Sequence, residues 1–61
     1  MKIPKDPYIL LSFINTKLRD EHKSLEDLCK SLNIDQYELE TTLDSIDYTY
    51  IRESNRFTAE M

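Results

Sequence analysis

Glycine is absent from this sequence, although an average usage of ~7% would place about four in a chain of this size. Loops that let the backbone approach a phosphate closely need glycine, so glycine-rich nucleotide-binding loops are excluded as a class. Tight turns must then rest on Asn and Asp, which best tolerate the left-handed conformation after glycine. Asn33, Asp47 and Asn55 stand where the apolar pattern breaks, and are read as those turns. Cysteine is nearly absent too. Cys29 cannot form an internal disulfide, and with the single histidine, His22, it cannot complete a four-ligand zinc site. A lone reduced thiol agrees with a cytoplasmic chain.

Long apolar runs are also missing. Tyr8-Ile9-Leu10-Leu11, resuming at Phe13-Ile14, falls far short of the ~18 residues that span a bilayer. Lys2 and Lys5 precede it, as in a signal peptide, but Asp6-Pro7 intervenes and no small-residue cleavage site follows. The expectation is a buried first helix and no membrane. Basic residues are scarce in the middle of the chain. Ser24 to Asp47 holds seven acids (Glu26, Asp27, Asp35, Glu38, Glu40, Asp44, Asp47) and one base, Lys30, within a net charge of −4.

A chain of 61 residues is one small domain. At this size only roughly 60% of the unfolded surface is buried, and net stability is roughly 3–5 kcal/mol or less. With neither disulfide nor zinc site, a homodimer is the remaining supplement.

What is present reads as three helices and a hairpin. Asp6 caps the first helix, about 7–20, and Pro7 sits in its first turn, where a missing N–H costs nothing. At ~100° per residue, Ile9, Leu10, Leu11, Phe13, Ile14 and Leu18 cover roughly 200°. A surface helix buries a stripe of only ~100°. The surplus must meet either the chain's own C-terminal segment or another subunit. Incomplete cover would leave Ile9, Phe13 or Leu10 exposed beside a strand edge. Lys17 interrupts the arc with a stem that can lie on apolar surface.

Ser24 caps a second helix, about 25–32, with Asp27 in the capping-box position and a stripe of Leu25, Leu28, Cys29 and Leu32. Ile34 plugs the core at the turn. Asp35 caps a third helix, about 36–46, with Glu38 completing the box. Its stripe of Leu39, Leu43 and Ile46 is only about 60° wide, so Tyr37, Glu38, Glu40, Thr41 and Asp44 point outward. After Asp47 the period changes to two. Tyr48-Thr49-Tyr50-Ile51 is a strand signal, Arg52 to Asn55 a turn, and Arg56-Phe57-Thr58 the return strand. Such a hairpin, about 48–58, is marginal alone. Tyr48 and Tyr50 share a face that could cover the first helix, while Ala59-Glu60-Met61 is expected to fray.

Leu28, Cys29, Leu32, Asn33, Ile34, Asp35, Leu39 and Leu43 have the spacing of a helix-turn-helix unit. The fold class is therefore mainly α, a three-helix helix-turn-helix-like core with a C-terminal hairpin, in outline a miniature winged helix. Its charge opposes DNA reading, because phosphate contacts dominate that affinity. Gln36 is one good base reader at the recognition positions Gln36, Tyr37, Glu40 and Thr41. Lys2, Lys5, Lys17, Arg19 and Lys23 form a weak basic patch on the wrong element for groove docking. Nucleic acid is therefore not the expected partner.

Cys29 reads as a small buried hydrophobe at a helix crossing, where such units usually place alanine. A nucleophilic role would need a general base within reach, and His22 lies in the polar connection before the second helix. Glu38, Glu40 and Asp44 read as a solvated face rather than a carboxylate pair or metal site. No catalytic, cofactor-binding or metal-binding residue emerges. Tyrosine, which has apolar area and a polar tip, is enriched in binding patches. Tyr37 is the best contact candidate, with Glu40, Thr41 and Asp44 beside it.

The stretch Ile3-Pro4-Lys5-Asp6-Pro7-Tyr8-Ile9-Leu10-Leu11-Ser12-Phe13-Ile14-Asn15-Thr16-Lys17-Leu18-Arg19-Asp20 resembles the signature of a family of very short bacterial proteins, domain of unknown function 4250. Ser24-Leu25-Glu26-Asp27-Leu28-Cys29, Asp47-Tyr48-Thr49-Tyr50 and Asn55-Arg56-Phe57 are similar as well, so the resemblance covers nearly the whole chain. Asp47 departs from the pattern, which leads one to expect glycine before the aromatic strand. The resemblance implies no activity, substrate or site. The residues lead to one expectation, a non-enzymatic cytoplasmic module that binds another protein through the third helix or the surplus edge of the first. The alternative is a small DNA-binding regulator acting as a dimer.

Overall fold

The computed structural model describes residues 3–59. Local capping chemistry sets the helix boundaries. The Asp6 carboxylate accepts from the backbone N–H of Tyr8 at 2.9 Å and of Ile9 at 3.3 Å, and α1 (Pro7–Asp20) begins at the proline. Ser24 Oγ accepts from Asp27 N–H at 3.1 Å to open α2 (Leu25–Leu32). Asp35 Oδ1 does the same for Glu38 N–H at 3.2 Å, opening α3 (Gln36–Asp44). Each cap satisfies an N–H that the first helical turn leaves without a partner. The chain then forms an antiparallel hairpin of β1 (Tyr48–Ile51) and β2 (Arg56–Ala59).

The three turn residues inferred from the missing glycine adopt the left-handed conformation. Asn33 has φ 55°, Asp47 φ 63° and Asn55 φ 51°. Asp47 carries the turn into the strand where the family pattern suggests glycine, and aspartate is among the few side chains that tolerate it.

Two boundaries differ from expectation. α3 ends at Asp44 rather than residue 46. The chain tightens there, with Ile46 N–H donating to Leu43 C=O and Asp47 N–H to Asp44 C=O, before turning left-handed. Ile46 thus packs on the core from a turn. At the other end Ala59, expected to fray, pairs with Tyr48 in the hairpin. Lys2, Glu60 and Met61 lie outside the described residues.

The core unites Leu10, Ile14 and Leu18 of α1, Leu25, Leu28 and Cys29 of α2, Leu39 and Leu43 of α3, and Phe57 of β2. Leu32 and Ile34, expected to be core, are half-buried at its rim. The wide arc of α1 serves several neighbours, since α1 packs on α2, α3 and β2. Leu10 is buried, contrary to one of the options above, Leu11 and Phe13 are half-buried, and Ile9 stays 60% exposed beside Tyr8. The Lys17 stem follows the apolar surface, with Nζ 5.7 Å from the Phe13 ring centroid and 2.8 Å from Glu21. The residue that seats the hairpin is Phe57 on the return strand, only 2% exposed. Tyr48 and Tyr50 share its face but are half-buried, and the Tyr50 ring tilts against Phe57 at a centroid distance of 5.6 Å.

Candidate functional site

Two asparagines tie the hairpin to α1. From mid-helix, the Asn15 amide donates to Phe57 C=O at 3.1 Å and accepts from Phe57 N–H at 2.8 Å. That pair of bonds is what a neighbouring strand would offer, so Asn15 occupies the outer edge of β2. Asn55 supplies the second tie. Its Nδ2 donates to Leu18 C=O, in the last turn of α1, at 3.2 Å and to His22 C=O, just past the helix, at 2.9 Å. Its Oδ1 accepts from the Tyr50 hydroxyl at 2.6 Å. Neither role was legible in the sequence. Asn15 looks like any polar residue in an amphipathic helix, and Asn55 signals only a turn.

These ties fix where β1 lies relative to α3. Tyr37, Glu40, Thr41 and Asp44 line one open groove of about 460 Å³, and Tyr48, Thr49, Tyr50 and Phe57 line it from the hairpin. All four residues singled out on α3 therefore share one surface with the two strand tyrosines. Tyr37 is 80% exposed, the most open of the large apolar side chains among the described residues. Thr41 is less available than its position suggests, because its hydroxyl donates to Tyr37 C=O at 2.8 Å. Gln36, the possible base reader, donates to Glu40 at 3.2 Å. The groove lining contains two carboxylates and no basic side chain.

A larger groove, about 700 Å³, runs between α1 and the hairpin turn. Its lining includes Arg19 and Arg56 and no acid. Two of its walls are nevertheless committed within the chain, since Asn15 and Asn55 are hydrogen-bonded as above and Arg19 grips Asp20 at 2.8 Å. The α3 groove is the one that gathers the four residues singled out on α3.

The reactive groups are arranged for packing. Cys29 is 5% exposed. Burial first, then the negative charges of Glu40, Asp35 and Glu26, push its thiol above the usual range. It stays protonated near neutral pH and is a poor nucleophile. His22 is engaged elsewhere, its Nδ1 lying 2.8 Å from the Asp27 carboxylate. Asp27 thus turns to His22 instead of completing the capping box. Of the basic patch, Lys17 and Arg19 are paired with Glu21 and Asp20. Among the described residues no three His, Cys, Asp or Glu side chains converge as a metal site would require, and no helix is long and apolar enough to cross a membrane.

The family model described as domain of unknown function (DUF4250) matches residues 4–57 of this chain. The chain belongs to that family. The match includes Asn15, Asn55 and Phe57, so the contacts that seat the hairpin lie inside the family's own extent. No curated protein and no solved structure matches the chain.

Proposed function

We propose that this chain is a non-enzymatic interaction module that binds another protein through the groove between α3 and β1. The observation carrying this reading is that Tyr37, Glu40, Thr41 and Asp44 line that groove together with Tyr48 and Tyr50. Exposed tyrosines provide apolar area at low conformational cost, and carboxylates at the rim provide selectivity and steering. These carboxylates, with Glu38 elsewhere on α3, oppose nucleic acid, because they would face phosphates with no base on α3 to offset them.

The test compares proteins cross-linked to the native chain in its host with those cross-linked to a Tyr37→Ala, Glu40→Lys double variant. Both substituted side chains are exposed, so the fold should survive. The expected result is a partner set held by the native chain and lost from the variant. Selection from random duplex DNA is expected to return no enriched motif. A partner set indifferent to the double variant overturns the reading, as does a duplex motif whose recovery depends on Gln36.

A further inference from the structure

The hairpin has two outer edges, and the structure treats them differently. Phe57 directs its N–H and C=O away from β1, because both are taken by Asn15. Phe57 lies opposite Tyr50 in the register. In an antiparallel pair, opposed residues either exchange both backbone bonds or direct both outward, and the two kinds alternate. Tyr50 therefore points its N–H and C=O outward from β1, and so does Tyr48 two residues earlier. Among the described residues no donor or acceptor meets these groups. The outer edge of β1 is thus unpaired among the described residues, and β1 borders the groove under α3.

We propose that the groove receives an extended segment of a partner protein, which adds as a third strand along β1 and carries basic residues toward α3. This rests on the interaction reading above and specifies how the partner binds. An unpaired edge is a template for strand addition, in which main-chain bonds give affinity and alternate side chains give specificity. The charge selects the occupant. Glu40 and Asp44 line the groove with no base beside them. A second copy of this chain pairing edge to edge would bring two such acidic grooves together, which like-charge repulsion opposes. A basic segment is attracted instead. For a segment that runs along α3 the spacing also fits. Glu40 and Asp44 are one helical turn apart, about 6 Å, and alternate side chains of a strand are about 6.8 Å apart. Lys or Arg two positions apart on the incoming strand would face both acids.

The experiment selects from a displayed library of random octapeptides against the full chain, then titrates the enriched sequence as a synthetic peptide into ¹⁵N-labelled protein. The expected peptide carries basic residues two positions apart and lacks proline between them. Its binding should shift the Tyr48 and Tyr50 amide resonances and slow their hydrogen exchange at least tenfold. Methylating the peptide nitrogens that face β1 should weaken binding at least tenfold, and methylating the alternate nitrogens less than twofold. Glu40→Lys combined with Asp44→Lys should weaken it at least tenfold. A peptide that shifts Tyr37, Glu40 and Thr41 yet tolerates methylation at every nitrogen overturns strand addition and leaves the α3 contact surface standing. No enrichment, or binding that moves neither set of resonances, overturns both.

Discussion

Along α1 the hairpin is tied by Asn15 and Asn55 and filled by Phe57. Along α3 no hydrogen bond joins helix to strand among the described residues, Tyr37 projects into solvent, and the groove has only acids for charged groups. The same two strands thus have one edge satisfied by the fold and one left unsatisfied. A domain this small has little stability to spare. It secures the hairpin on one side, and the rigidity gained there holds the other side open in a defined shape. A binding surface works best when a rigid scaffold presents it.

Breaking the tied side should cost the most. Phe57→Ala removes the only strand residue in the buried core among the described residues, at about 3–5 kcal/mol. That is comparable to the whole of the roughly 3–5 kcal/mol a single small core supplies. Far-ultraviolet circular dichroism should show a largely unfolded chain, and a cooperative native transition would show that the seam matters less than its burial implies.

Asn15→Ala comes next. It keeps the helix but leaves the part-buried Phe57 N–H and C=O without partners, a loss of about 1–3 kcal/mol. Urea denaturation should show an earlier midpoint, and hairpin resonances should broaden before those of α2. An unchanged midpoint would mean that water replaces the amide freely.

Cys29 sharpens the contrast between packing and chemistry. Cys29→Leu should cost roughly 1–3 kcal/mol by overpacking the crossing, while Cys29→Ala should cost little. The thiol's raised pKa also has a sign. The folded chain holds this proton more tightly than the unfolded chain, so stability is intact below the ordinary thiol range and declines as pH rises through it. Cys29→Ala should flatten that alkaline decline in denaturation midpoints. A decline of equal slope in the variant would assign it to other groups.

On the open side, Tyr37→Ala should change stability by less than about 0.5 kcal/mol, as an exposed residue outside the core. The same substitution should nevertheless abolish partner cross-linking. Equal losses of stability and binding would make Tyr37 a structural residue.

Much of this architecture was legible from local chemistry. Caps at Asp6, Ser24 and Asp35 mark the helix starts, and a chain without glycine has few choices for its left-handed turns. The outward face of α3 follows from its narrow apolar stripe. The hairpin's attachment was not legible, because it depends on residues far apart in sequence. Asn15 and Phe57 are 42 positions apart, and neither helical nor strand period announces a side-chain amide matched to a backbone edge. Phe57 was placed in the return strand, but its burial follows from the direction in which Asn15 and Asn55 hold that strand. The groove was half visible, its acids and Tyr37 read from α3 and its second wall supplied by the fold.

Native-state hydrogen exchange at single amides tests the difference between the two edges most directly. The Phe57 amide, bonded to Asn15, should exchange only through opening of the whole domain. The Tyr48 and Tyr50 amides should exchange by local access, at least a hundredfold faster at neutral pH. Protection of Tyr48 and Tyr50 equal to that of Phe57 would contradict the account, because the β1 edge would then be closed within the chain.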